Sequence, residues 1–139
     1  MYDPQVAKEA RDMMNYVYIA MLVLGALELL ASLPYILFGV IGMFAFVFGI
    51  GYGPMMIIWG IVGIIVGGFG IYTALRKIKP GVVAKIDQGK YQEAYSVSSS
   101  TMTLIVAFLT GIIPGILLIL GNQKLSQLIG PAAAPPPPV

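Results

Sequence analysis

One carboxylic acid stands apart from every other ionisable group in this sequence. Glu28 lies inside the first long apolar run, and no Lys or Arg sits at comparable depth. An ionisable side chain surrounded by hydrocarbon is costly and marks a candidate functional position. As the neutral acid, Glu28 can donate a hydrogen bond to Ser32 one turn on, or to Tyr and Thr groups of neighbouring helices. The chemistries open to it are proton or cation handling, a quinone contact, or a protonated hydrogen-bonding link between helices. The last is the plainest meaning of a lone acid at such a place.

Nothing joins Glu28 in a catalytic set. Cysteine and histidine are absent, which removes thiolate and imidazole ligation of zinc, iron–sulfur clusters or haem, together with the commonest nucleophile–base pairs. No metal or cofactor is expected, and no acid–base pair has a spacing suited to an enzyme. Gly67-Gly68-Phe69-Gly70 is glycine-rich but lacks the lysine of a phosphate loop. The net charge is only +2. The basic residues Arg76, Lys77, Lys79, Lys85 and Lys90 form a loop beside a membrane rather than a groove lined with stacking aromatics, so nucleic acid is not an expected partner.

The elements that carry these residues follow from composition. The chain has 139 residues, 58% hydrophobic and 10% charged, with a mean hydropathy of +0.89, where a soluble domain would carry roughly a quarter charged residues. Such a surface suits a lipid bilayer, and the expected fold is all-α: a polytopic transmembrane bundle of four hydrophobic segments with a short interfacial helical loop. One unit of residues 1–130 holds crossings at about 17–33, 35–50, 55–75 and 102–120, with the loop at 76–100. Asp3 and Pro4 suit an N-cap and first helical residue, and Met1-Tyr2-Asp3-Pro4 does not open like a cleaved signal peptide. Pro34 is expected to end the first segment, and Gly49, Gly51, Gly53 and Pro54 to turn the chain before the third. Between Arg76 and Ser100, Pro80 can start a helical turn that Gly89 stops, and Tyr91, Ala94 and Tyr95 offer a second apolar face. Ser98-Ser99-Ser100-Thr101 is expected to cap the fourth crossing. The 131–139 tail, rich in Pro and Ala, reads as polyproline II or disordered.

Orientation rests on the basic loop, because short connections rich in Lys and Arg stay cytoplasmic. Four full crossings put both termini outside while the Arg76–Lys90 loop stays inside. A re-entrant 35–50 segment would instead bring Lys8 and Arg11 to the side of the loop, sorting the charge better, but it needs protein or water around it at membrane depth. The four-crossing arrangement is the expectation.

Small residues mark where helices can approach closely: Gly63 and Gly67 with Gly60 nearby, and Gly111 with Gly115. They predict packing between the third and fourth segments, while Pro114 predicts a kink in the fourth. Tyr18, Tyr35, Tyr52 and Tyr72 lie near segment ends, where an amphipathic ring suits the interface. Met55, Met56 and the Phe44, Phe46 and Phe48 series read as packing or lipid-facing residues.

The stretch Lys85-Ile86-Asp87-Gln88-Gly89-Lys90-Tyr91-Gln92-Glu93-Ala94-Tyr95 precedes an apolar helix containing Ile113-Pro114-Gly115-Ile116-Leu117-Leu118 and ending Gly121-Asn122-Gln123-Lys124-Leu125. It resembles a pattern of small multi-span membrane proteins of unknown function, found in archaea and bacteria. The resemblance covers roughly the C-terminal third and implies a multi-pass protein of the cell membrane without catalytic residues. The expected function is therefore a non-catalytic integral membrane protein that packs into an assembly, its partners being the bilayer and either copies of itself or other membrane subunits. A small oligomeric channel or transporter using Glu28 is the alternative. A pilin-like filament subunit ranks last, since two apolar helices are more usual there.

Overall fold

The computed structural model describes residues 4–45 and 49–129. Asp3, the Phe46 and Phe48 positions and the 131–139 tail lie outside the described residues. Helices account for nearly everything described, in the order α1 (Pro4–Ala45), α2 (Gly49–Thr73), a wide-turn segment (Ala74–Val83), α3 (Ala84–Asp87), α4 (Tyr91–Ser98), α5 (Thr101–Thr110) and α6 (Ile112–Ile129). Among the described residues three helical stretches are long and apolar enough to cross a membrane, at 4–44, 52–87 and 112–129.

The expected boundary at Pro34 is absent, because α1 runs through it as one helix of 42 residues. A proline inside a helix costs about 3 kcal/mol. Ending the helix in hydrocarbon would strip several peptide groups of their partners at several kcal/mol each, so continuing is cheaper. At 1.5 Å per residue, α1 is about 63 Å long.

α2 returns antiparallel along α1 in a seam of small residues. A Cβ on Gly67 would lie 2.6 Å from the Gly25 carbonyl oxygen, and one on Gly53 would lie 2.9 Å from that of Gly39. Between these pairs, a Cβ on Gly60 would meet the Ser32 carbonyl at 3.0 Å. Gly25, Ser32 and Gly39 are spaced by seven, as are Gly53, Gly60 and Gly67, so three small residues face three across the seam. A seven-residue repeat keeps such a stripe on one side of a slightly supercoiled helix. Gly60, Gly63 and Gly67 therefore pack on α1, not on the fourth apolar segment expected from the sequence.

From Ala74 the returning helix widens, and the Ala84 amide bonds the Lys79 carbonyl five residues back. Ala74, Ile78 and Val82 are fully buried, with Ile86 nearly so. A spacing of four drifts around a 3.6-residue turn by about 40° a step. The wider turn takes up that drift and holds the stripe against α1 and α4. Pro80 thus sits inside the widened stretch instead of starting a helix. Gly89 ends α3 as expected: its φ of +75° lets its own amide bond Ile86 at 3.0 Å while the Lys90 amide closes on Lys85 at 2.8 Å.

The fourth apolar segment is not one rod. It breaks at Gly111 and doubles back, so that the Asn122 amide donates to the Ser98 carbonyl at 3.0 Å across 24 positions. A straight helix would hold those residues about 36 Å apart. Pro114 falls in the first turn of α6, where amides lack intrahelical partners anyway, and a Cβ on Gly115 would meet the Phe108 ring of α5. The serines also act differently from expectation. Ser99 Oγ donates back to the Tyr95 carbonyl at 2.6 Å, closing α4, and the Ser100 side chain makes no cap bond to α5.

Met14, Val17, Met21, Ile78, Val82, Leu118 and Leu125 form a fully buried core where α1, the wide-turn segment, α4 and α6 meet. Farther along the hairpin, from 25 to 44 on α1 and from 52 to 70 on α2, only glycines and Ser32 are buried.

Candidate functional site

Glu28 sits near the middle of the uncharged stretch of α1, on the hairpin seam. Its neighbours Ala31, Ser32, Tyr35, Trp59 and Gly63 line an open groove of about 370 Å³ between the two helices. Gly67 makes room for it, since a Cβ there would come within 3.2 Å of the Glu28 Cβ. The expected bond from the Glu28 acid to Ser32 is not formed. Instead the buried Ser32 hydroxyl donates to the Glu28 main-chain carbonyl at 2.5 Å. The Glu28 Oε2 atom is buried and has no hydrogen-bond partner. Tyr35 and Trp59 carry donors along the same groove but stay half exposed.

The groove therefore offers one carboxyl group in apolar surroundings, two aromatic donors at its rim and no cation. That arrangement can hold or exchange a proton, or accept a donor supplied from outside the chain. It has no nucleophile–base pair. No family model, curated protein or solved structure matches the chain.

All eight Lys and Arg residues gather at the opposite end from the hairpin tip. Arg11 Nε meets Asp87 at 2.5 Å, Lys124 meets Glu9 at 2.8 Å and Lys85 meets Glu93 at 2.9 Å. These contacts bring the start of α1, the 76–93 region and the end of α6 to one pole. The Lys79 ammonium lies 5.1 Å above the Tyr18 ring, within cation–π range. Glu93 is held below the usual carboxylate range by the hydrogen bond from Lys85, then by that residue's charge.

Arg76, Lys77, Lys79, Lys85 and Lys90 are thus one part of a larger polar end. Among the glycines singled out by sequence, Gly60, Gly63 and Gly67 lie on the seam beside Glu28, whereas Gly111 faces Leu24 and Gly115 faces Phe108. Gly25 and Gly39 were missed, because a four-residue spacing was sought where the seam uses seven, and Gly53, expected with Pro54 to turn the chain, instead lies inside α2 on the seam.

Proposed function

We propose that this chain is a non-catalytic membrane subunit that inserts its α1–α2 hairpin and assembles with copies of itself or with other membrane subunits. The observation that carries this reading is the hairpin's uncovered length. From Met13 to Ala45, α1 carries a single charge, and that stretch spans about 50 Å. The hydrocarbon core of a bilayer is about 30 Å thick. A tilt that hid the difference would exceed the roughly 40° limit of known spans. Among the described residues, α6 and the wide-turn segment cover only the 14–21 part of it, which leaves the apolar side chains of the rest for lipid or another subunit. The buried Glu28 Oε2 beside the groove, which has no hydrogen-bond partner, supports the same reading.

The gathering of every basic residue at one pole favours a topology of two full crossings, α1 and α2, with α5 and α6 dipping in and returning. The pole is then cytoplasmic, by the preference of Lys and Arg for that side. This arrangement replaces four crossings. It predicts that the N-terminal turns and the 76–93 region are cut by protease from the same face of sealed vesicles.

Native mass measurement of the full chain released from lipid discs tests the assembly. Defined multiples of 14.8 kDa, or a stoichiometric membrane partner, are expected. A strictly monomeric particle free of partners rejects it, and an open-ended series of masses would point to filament growth.

A further inference from the structure

Sorting the charges at the polar end leaves five cations with no carboxylate within ion-pairing distance among the described residues: Lys8, Lys90 and a run of three. Glu9, Asp12, Asp87 and Glu93 each lie within ion-pairing distance of Arg11, Lys85 or Lys124. Among the described residues, Arg76, Lys77 and Lys79 have no carboxylate within that distance. These three cations fall within four positions, where the apolar run of α2 ends.

Moving from Arg76 toward the hairpin tip, the residues on the same helix face are Tyr72, Phe69 and Ile65, at steps of four, three and four. All three are more than half exposed. An open apolar groove of about 250 Å³ lies between this stripe and Met102 and Ile105 of α5. A second, of about 340 Å³, lies on its other side against Ile64 and Gly68. Reading along the stripe gives aliphatic, aromatic, phenol and guanidinium groups. That is the order in which a phospholipid leaflet presents acyl chain, ester zone and phosphate. The guanidinium fork matches phosphate oxygens, and Lys79, three positions on, stands over the Tyr18 ring instead of being drawn into an ion pair.

We propose that this stripe binds an anionic phospholipid, its phosphate on Arg76, Lys77 and Lys79 and one acyl chain laid along Phe69. The site belongs to the single chain and is independent of the assembly reading above. A monomer can carry the lipid, and an oligomer can lack it.

The test uses the full chain in discs made of equal parts phosphatidylglycerol and phosphatidylcholine, with retained lipids counted by native mass spectrometry. Each cation near an anionic surface is worth roughly fivefold in binding. The unaltered chain is therefore expected to retain phosphatidylglycerol over phosphatidylcholine by about tenfold or more. The R76Q/K77Q/K79Q variant should lose that preference. The K8Q/K90Q variant, which removes charge from the same pole but not from the stripe, should keep it. Soaking in free inorganic phosphate should not displace the retained lipid. A wild-type chain that carries the two lipids in the ratio of the disc overturns the proposal, and so does an equal loss in both variants.

Discussion

Arg11, in the third turn of α1, and Asp87, the last residue of α3, meet at 2.5 Å although 76 positions separate them. Both side chains are about half exposed, so the pair is worth at most about 1 kcal/mol to stability. Its information is geometric. Because the chain has no cysteine, an R11C/D87C variant is expected to be joined within one molecule by a short bis-maleimide, with no shift to dimer mass on a denaturing gel. Failure of the link in folded protein would show that the start of α1 and the end of α3 lie on different sides.

The seam makes a prediction about two adjacent glycines. Gly67→Ala places a methyl 2.6 Å from the Gly25 backbone, whereas a Cβ on Gly68 would meet nothing within 4 Å. The first change should destabilise the protein by about 1–3 kcal/mol through overpacking. The second should be neutral or stabilising by up to about 1 kcal/mol, from helix propensity. Unfolding in mixed micelles compares the two directly. Similar midpoints for both variants would show that the helices are not in contact at Gly67.

Asn122 ties the returning helix to the end of α4. Asn122→Ala removes the donor to Ser98 and leaves that carbonyl without its side-chain partner, a loss of about 1–3 kcal/mol. Amide exchange should quicken first in α5 and α6, leaving the α1–α2 seam protected. Uniform quickening would mean that the hairpin and the α5–α6 pair unfold as one unit.

Acid acts through Glu93. Its folded-state pKa lies below its ordinary value of 4.5, chiefly because Lys85 donates a hydrogen bond to it. A depressed carboxyl contributes stability above its unfolded-state pKa and loses that contribution as pH falls through the folded-state value. The α3–α4 region is therefore expected to exchange faster as pH drops below about 4.5. Lys85→Met should bring the Glu93 titration, followed by carboxyl carbon resonance, back up toward 4.5. An unchanged titration would remove Lys85 as the cause.

Glu28→Gln keeps the shape of the side chain while removing its ability to ionise. If Glu28 is a hydrogen-bonding link between subunits, the variant should retain the particle mass of the unaltered protein and leave liposome conductance as it was. Loss of a measurable ion flux with intact mass would instead assign the groove to transport.

The helical class, the Gly89 stop and the apolar face of Tyr91, Ala94 and Tyr95 were legible because each depends on neighbours within a turn. Pro34 misled because its meaning depends on solvent: in water the peptide groups of a helix that stops there find partners outside it, and in hydrocarbon they do not, so the helix runs on. The break at Gly111 was hidden inside an unbroken run of apolar residues, where periodicity carries no signal for reversal. Glu28 stood out as the lone ionisable carboxyl of the long apolar stretch. The partner face of its glycines did not, since a stripe of small residues states that something packs there without stating what. The pairing of Glu9 with Lys124 belongs to the tertiary fold, and no local pattern announces it.

The distribution of charge along the hairpin also bears on how the protein enters its membrane. Between Met13 and Leu75, Glu28 is the sole residue that is ordinarily charged. The sequence at the far end, 44–54, is free of acids and bases. Threading the two long helices through a bilayer as a closed pair thus drags no lysine, arginine or hydrated loop across the oily interior. In the proposed two-crossing arrangement the eight lysines and arginines stay where synthesis left them, and their place sets the direction of insertion.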